Sequence, residues 1–173
     1  MKKDILIIFA VILALAVLIG GSNFQSVEEY YLVHIDDITP ESETVFISID
    51  CSDVLNHLDR LDKALLDEIP PGGVILPRTE YVLRPGDTAF DLLKRTARHN
   101  AIQMEYQGAD RNAFGSVYVQ GIGYLYEFSC GPESGWVYLV NGKFPDKGCS
   151  GYELSDGDWV KWIYSCERSN FEF

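Results

Sequence analysis

The sequence predicts an α+β domain, because strand-like and helix-like patterns alternate and are then followed by strands alone. Over residues 44–51 the side chains of Val45, Ile47 and Ile49 share one face, with Phe46 and Ser48 on the other, which is typical of a strand. Two stretches with helical spacing follow, over residues 53–68 and 88–99, with an extended stretch between them. Only short strands are predicted from residue 102 onward. This order of elements indicates a mixed sheet with two helices.

The two predicted helices are marked by different end signals. Ser52 or Asp53 caps the first helix, and a Pro-Pro-Gly-Gly run ends it. Thr88 is a favourable N-cap for the second helix, where Asp91 completes a short capping box and Asn100 closes the other end. The apolar stripe of the first helix consists of Val54, Leu58, Leu61 and Leu65.

The strongest hairpin signal in the sequence covers residues 136–144. Asn141 and Gly142 tolerate the positive φ of a type I′ turn, so the strand before them is predicted to pair with the residues directly after them. The other predicted extended segments and strands cover residues 74–77, 79–83, 102–106, 116–119, 124–128 and 159–164.

The N-terminus has the pattern of an export signal. Lys2 and Lys3 precede an apolar run over residues 5–19, and two glycines follow it. The run lies at the lower edge of the length that a membrane span requires. Residues 1–21 are therefore either an uncleaved signal anchor, a hydrophobic helix in the plasma membrane through residues 5–21, or a cleaved signal peptide. Both alternatives predict an extracytoplasmic protein, anchored or secreted.

Charge and composition divide the remaining chain and exclude one class of partner. Residues 22–43 are predicted as an acidic linker, residues 44–166 as one domain and residues 167–173 as a tail. The chain of 173 residues has a net charge of -12, from 26 acidic and 14 basic residues. Because phosphate binding requires Lys and Arg, this charge excludes a nucleic-acid partner.

The cysteines indicate disulfides, because they lie in the part that is predicted to be exported. Several pairings are open to them, and buried free thiols are the alternative. Zinc binding is disfavoured, since the sequence has no C-x-x-C motif. The four cysteines are Cys51, Cys130, Cys149 and Cys166.

No catalytic constellation is visible, so the sequence predicts a protein that is not an enzyme and has no metal site. The hydrolase elbow G-x-S-x-G is absent from the sequence. His34, His57 and His99 are scattered, without the spacing of a metal-binding pair.

Three stretches resemble, in order, the motifs of the transcobalamin-like C-terminal domain family. Residues 85–93 (PGDTAFDLL) look like its capped helix start, and residues 135–142 (GWVYLVNG) look like its G-W-x-Y-x-V-N-G core. Residues 152–162 (YELSDGDWVKW) look like its final turn and strand. The family is a domain of unknown function on exported bacterial proteins, and it is similar to the β domain that caps cobalamin in vertebrate carriers.

The resemblance implies a β-grasp-like sheet in which the first and last strands are parallel neighbours. It thereby implies the disulfides Cys51–Cys166 and Cys130–Cys149, each of which would restrict the unfolded chain. It also implies a corrinoid such as cobalamin as the ligand. No other cofactor is predicted.

Aromatic residues are concentrated in the C-terminal strands, where period-2 placement puts Trp136 and Tyr138 on one face. An aromatic platform with polar groups from a turn suits a small-molecule ligand, for which the resemblance implies cobalamin. The alternative is a surface module for protein interaction or adhesion, through a sheet edge or the hairpin. The candidate ligand-binding residues are Tyr126, Trp136, Tyr138, Asn141, Gly142 and Phe144.

Overall fold

The computed structural model describes residues 36–111 and 115–167. From Ile38 onward these residues belong to one compact unit. The described part contains two sheets and one α-helix, which confirms the α+β class. The elements are β1 (Thr44–Asp50), β2 (Val74–Val82), α1 (Ala89–His99), β3 (Met104–Gln107), β4 (Tyr118–Ile122), β5 (Leu125–Tyr126), β6 (Gly135–Val140) and β7 (Trp159–Ser165).

The larger sheet has the strand order β2-β1-β7-β6. β1 is antiparallel to β2 and parallel to β7, and β6 is antiparallel to β7. The parallel pairing of the first and last strands confirms the arrangement that the family resemblance implied. β1 and β7 therefore lie in the middle of the sheet, where each strand has a neighbour on both sides.

One face of the larger sheet forms the core of the domain. Side chains at alternate positions of a strand point to the same face, and the register sets Ile47 beside Val160 and Ile49 beside Trp162. α1 contacts β1 on this domain core. The buried residues of this face are Val45, Ile47, Ile49, Val160, Trp162 and Tyr164.

α1 begins and ends where the sequence predicts. The Thr88 side chain accepts the N–H of Asp91, and the Asp91 carboxylate accepts the N–H of Thr88, so both halves of the capping box are present. The Arg95 side chain joins the helix to its surroundings. It pairs with Asp87 at 2.8 Å, with both side chains largely buried, and donates to the Val82 carbonyl at 2.8 Å.

The first predicted helix, over residues 53–68, is wrong. The segment forms two short 3-10 helices, Ser52–Asn56 and Lys63–Glu68, with turns between them. Asp53 does not cap a helix. Its carboxylate accepts the N–H of Cys166, just after β7, at 2.9 Å. The Asp53 side chain thus contacts the residue after β7 and not the N-terminus of a helix.

The predicted hairpin over residues 136–144 is present only at its turn, where Val140 and Lys143 exchange both main-chain hydrogen bonds, at 2.9 and 3.0 Å. Asn141 and Gly142 have φ values of 52° and 78°, as a type I′ turn requires. A single isolated bridge follows the turn in the described part of the chain. Pro145 then lacks the N–H that a longer ladder would need. Over its full length, β6 pairs antiparallel with β7.

A second, antiparallel sheet is present, with the strand order β3-β4-β5. The sequence had predicted a single mixed sheet. The β3–β4 pairing steps from Gly121 to Val119, which leaves Gln120 as the extra residue of a β-bulge. β4 also contacts β6, so the second sheet lies against the core face of the first.

Both implied disulfides are wrong, and a different one is present. Cys130 is bonded to Cys166, with the two Cα atoms 5.4 Å apart. Cys51 and Cys149 are free and buried. The thiol of Cys149 donates to the Val117 carbonyl at 3.3 Å, so it lies against β4 rather than beside Cys130.

The strand register explains why Cys51 does not reach Cys166. Asp50 lies opposite Ile163, so Cys51 is two residues out of register with Cys166. That offset corresponds to about 7 Å along the strand, in addition to the spacing between strands, and it exceeds the reach of a disulfide. The resemblance was therefore correct about the neighbouring parallel strands β1 and β7, but wrong about the disulfide between Cys51 and Cys166.

Several predictions concern residues outside the described ranges. They are the N-terminal signal over residues 1–21, residues 22–35 of the linker and residues 168–173 of the tail. Among the residues that the structure describes, no helix has the length and apolar character needed to cross a bilayer.

Candidate ligand-binding cavity

A cavity of about 430 Å³ lies between the two sheets. β4 and the residues before it form one wall, and β6 and β7 form the other. The volume is within the range of small-molecule sites, roughly 300–1,000 Å³. The lining residues are Ser116, Val117, Tyr118, Val119, Trp136, Val137, Tyr138, Gly148, Cys149 and Trp162.

The aromatic wall of the cavity follows from the register of β6 and β7. Trp136 lies opposite Tyr164, and Tyr138 lies opposite Trp162, so all four side chains share the core face. The rings of Tyr138 and Trp162 stack with centroids 5.4 Å apart. Trp136 meets Tyr164 edge to face at 5.3 Å. The structure thus brings together the predicted residues Trp136 and Tyr138 and adds Trp162.

Two of these rings are fixed by hydrogen bonds to main-chain oxygens. The indole N–H of Trp136 donates to the Leu125 carbonyl at 2.7 Å, and the Tyr138 hydroxyl donates to the Lys147 carbonyl. Burial raises the pKa of Tyr138, so its hydroxyl stays neutral. A wall that is already ordered loses little side-chain freedom when a ligand binds.

The indole nitrogen of Trp162 is buried, and no other described residue forms a hydrogen bond with it. Its indole N–H has no hydrogen-bond partner among the described residues, although the residue is only 2% exposed. Such a group costs about 1–3 kcal/mol relative to a paired one. An acceptor oxygen next to this N–H would recover part of that cost.

Cys149 brings a thiol to the cavity, but the thiol is not activated. It is 4% exposed, and burial raises its pKa to about 11. Because the thiolate is the nucleophile, a thiol that stays protonated near neutral pH reacts slowly. The chemistry of the cavity therefore favours binding over thiol catalysis.

The buried thiols make stability depend on alkaline pH. Burial raises the pKa of Cys149 from 9.0 to about 11 and that of Cys51 to about 12. The folded state holds both protons more tightly than the unfolded state, so this stabilisation is complete below pH 9.0 and is lost as the pH rises toward 11. We expect the free energy of unfolding to fall by roughly 2 kcal/mol per thiol over that window, measured by urea denaturation.

The control for this pH dependence is the double variant Cys51→Ala/Cys149→Ala. Its free energy of unfolding should fall less steeply with alkaline pH than that of the parent. Equal slopes for the two proteins would contradict the assignment to the thiols.

Four of the predicted ligand-binding residues do not line the cavity. Asn141 and Gly142 form the exposed turn after β6, and Phe144 follows that turn. Tyr126 lies on the outer face of the second sheet, opposite Gly121. Their role in ligand binding stays a prediction that is separate from the cavity.

Asn141 has a structural role in the turn. Its side-chain amide donates to the Asp158 carboxylate at 2.7 Å, and its side-chain oxygen accepts the N–H of Trp159 at 2.9 Å. These bonds tie the end of β6 to the start of β7. They explain why an Asn, rather than another residue that tolerates positive φ, suits this position.

Sequence reasoning missed Val117, Val119, Cys149 and Trp162. Trp162 carried a usable signal, since it alternates with Tyr164 in a predicted strand and period 2 puts both on one face. The others had none, because their place in the cavity depends on how one sheet packs on the other. Among the described residues, no group of three or more His, Cys, Asp or Glu side chains is placed to hold a metal ion.

Comparison with protein families gives a match over residues 86–165, to the model described as a domain of unknown function (DUF4430). Residues 86–165 are thus similar to the DUF4430 family. This match confirms the family that was recognised from the sequence motifs. All residues that line the cavity lie within the matched residues 86–165, whereas β1 and β2 precede them.

Solved structures similar to this chain include two with low sequence identity. A crystal structure of haptocorrin in complex with Cbi is 12% identical, with a TM-score of 0.46, and the match covers 74% of this chain and 26% of haptocorrin. The chain thus spans about a quarter of haptocorrin. A protein from Ruminococcus gnavus ATCC 29149, whose name suggests metal binding, is 8% identical with a TM-score of 0.43; the match covers 71% of this chain and 96% of that protein. No curated protein matches the sequence.

Proposed function

We propose that residues 44–166 are a small-molecule binding module whose site is the cavity, and that binding is not followed by catalysis. The observation that carries this proposal is the aromatic wall of Trp136, Tyr138 and Trp162, which faces β4 across a cavity of about 430 Å³. Sites for small molecules are typically concave and mostly apolar, with a few polar groups that fix orientation. In the cavity, the main-chain groups of Ser116 and Gly148 and the Ser116 hydroxyl are polar groups of this kind.

The ligand that we propose is a corrinoid such as cobalamin, which the family resemblance implies. A corrinoid is larger than this cavity, so only one edge of it, with its methyl and amide substituents, would enter between the sheets. Tyr118 and Gly148, which contribute to the lining, would then contact the outer part of the ligand. Van der Waals contact and burial of apolar surface would supply most of the affinity.

We also propose that the module acts outside the cytoplasm, either anchored through residues 5–21 or secreted. The disulfide between Cys130 and Cys166 supports this location, because disulfides persist in oxidising compartments. The basic start and the apolar run at the N-terminus support it as well.

Protein interaction or adhesion is the alternative function, and it would use an edge of the larger sheet. β2 forms one edge, and it contains Pro77 together with the charged residues Arg78 and Glu80. Proline and charge on an edge strand oppose the addition of another strand. We therefore place this function second.

Tryptophan fluorescence tests the cavity and provides an internal control. Trp136 and Trp162 line the cavity, whereas Trp159 lies on the opposite face of the sheet, where its indole N–H donates to Ser48 at 3.1 Å. In the variant Trp159→Phe, we expect saturable quenching by cobalamin and by cobinamide. The variant Trp136→Phe/Trp162→Phe keeps only Trp159. In this variant we expect the fluorescence to fall only by the amount that absorption of light by the corrinoid explains.

A variant that narrows the cavity sharpens this test. Val117 lines the cavity and is only partly buried, so Val117→Phe should fold and should weaken binding by about tenfold. The absence of saturable quenching in Trp159→Phe would reject the corrinoid. The dye anilinonaphthalene sulfonate, which has apolar rings, would then be tested on the same cavity. If the dye binds and Val117→Phe weakens its binding, the cavity remains a small-molecule site, but for a ligand other than a corrinoid.

A further inference from the structure

Apart from Tyr118, which also lines the cavity, the outer face of the second sheet carries side chains that the proposed cavity does not use. Glu105 of β3 and Tyr126 of β5 both lie opposite Gly121 of β4, so these positions form a row across the sheet. A Cβ atom at Gly121 would lie 2.7 Å from the Tyr126 ring, which therefore rests directly on the backbone of β4. We name this surface the tyrosine face; it comprises Gln103, Glu105, Tyr118, Gln120, Tyr126 and Glu127.

The Tyr126 ring is held in place from several sides. Its hydroxyl accepts the side-chain N–H of Gln103 at 2.7 Å, and its hydrogen bond to the Glu105 carboxylate raises the pKa of Tyr126. The Gln103 oxygen in turn accepts the N–H of Tyr124 at 2.9 Å. The ring is only partly buried, so it is a fixed aromatic surface that solvent can reach.

A second carboxylate is fixed next to this ring. The Tyr118 hydroxyl donates to one oxygen of Glu127 at 2.5 Å, and the Gln120 amide donates to the other at 3.4 Å. Glu127 directly follows Tyr126, and Gln120 directly precedes Gly121. The tyrosine face therefore presents oriented carboxylate and amide groups around an aromatic ring.

Large exposed aromatic residues flank the tyrosine face. Tyr124 and Phe128 are 53% and 58% exposed, and their φ values are 65° and 66°. Bulky residues with positive φ are outliers, since the side chain crowds the backbone. Exposed aromatic surface surrounded by polar groups is typical of binding sites.

We propose that the tyrosine face binds a neutral oligosaccharide. The apolar C–H face of a sugar ring can pack on the Tyr126 ring, while its hydroxyl groups donate to Glu105 and Glu127 and accept from Gln120. The six residues of the face carry two carboxylates and no cation, and the chain has a net charge of -12, so an anionic ligand is opposed. This site does not depend on the proposed cavity function.

Calorimetric titration of the full chain with neutral hexasaccharides of glucose, xylose, mannose and N-acetylglucosamine tests the proposal. We expect binding of at least one of them, weakened by about tenfold in Tyr126→Ala. Tyr106→Ala is the matched control, because Tyr106 is also an exposed tyrosine of the second sheet but packs its ring on Phe90 at 4.8 Å. This control variant should bind as the parent does.

Two further measurements keep the proposal falsifiable. If circular dichroism shows that Tyr126→Ala is unfolded, Glu105→Ala replaces it, with the same expected loss. Hexalysine tests a cationic peptide as the occupant instead. Failure of all four sugars to bind would overturn the proposal, as would sugar binding that neither Tyr126→Ala nor Glu105→Ala weakens. Hexalysine binding that Glu105→Gln abolishes, without sugar binding, would assign the face to a cationic partner and equally overturn it.

Discussion

Replacement of Gly73 by alanine is expected to destabilise the protein by about 3 kcal/mol or more. Gly73 is buried and has a φ of 72°, a left-handed conformation that alanine adopts at a cost. A Cβ atom there would overlap the backbone of Ser52, with the Ser52 nitrogen at 2.6 Å. The two segments cannot separate freely, because the Gly73 carbonyl accepts the N–H of Cys51 at 2.7 Å.

Gly72 provides a matched control for this substitution. Its φ is 75°, nearly the same as that of Gly73, but no atom lies within 4 Å of an added Cβ. Gly72→Ala should therefore cost only the backbone strain, about 1 kcal/mol. Urea denaturation of both variants measures the difference. Equal losses in the two variants would show that contact between Gly73 and Ser52 does not limit the fold.

The strands that form the centre of the larger sheet were predictable from local patterns. The placement of Val45, Ile47 and Ile49 on one face, with Phe46 and Ser48 on the other, marks β1, and the first three side chains are fully buried in the structure. Their parallel pairing with β7 has no local signal, because neighbours in a sheet can be far apart in sequence. That relation came from the family resemblance, and the register confirms it.

The segment over residues 53–68 shows how long-range contacts override helical spacing. A regular helix would put Val54, Leu58 and Leu61 on one face, but Leu58 is 45% exposed while the other two are buried. Arg60, between them, pairs with Glu167 at 2.8 Å and thereby ties the segment to the residues after β7. Helix propensity is a weak preference that such tertiary contacts outweigh.

The candidate site was predictable only in part, for a similar reason. Trp136 and Tyr138 were identified because they share one face of a single strand, which the sequence shows directly. Val119 and Cys149 complete the cavity from other elements, and no local pattern indicates that β4 lies against β6. The bulge at Gln120, which locally disrupts the β3–β4 ladder, likewise has no marker in the sequence.

Loss of the disulfide is the second large effect that we expect. Cys130 and Cys166 are separated by 36 residues, and closing a loop of that length stabilises the folded state by about 4 kcal/mol in the chain-entropy model. The variant Cys130→Ala/Cys166→Ala should lose about 3–4 kcal/mol of unfolding free energy, because its unfolded chain is no longer restricted. Both cysteines are replaced together, so that no unpaired thiol remains to react with Cys51.

The variant Cys51→Ala/Cys149→Ala is the control, and its response to dithiothreitol, rather than the size of its own loss, separates the disulfide from mere loss of buried volume. Its loss should be no more than about 1–2 kcal/mol per site, and dithiothreitol should still lower its stability by the amount seen in the parent. A peptide map without reduction should show Cys130 joined to Cys166. A bond between Cys51 and Cys166 would require β1 to slide by two residues against β7. Because such a slide would also separate Ile47 from Val160 in the core, that result would contradict the strand register as well as the disulfide.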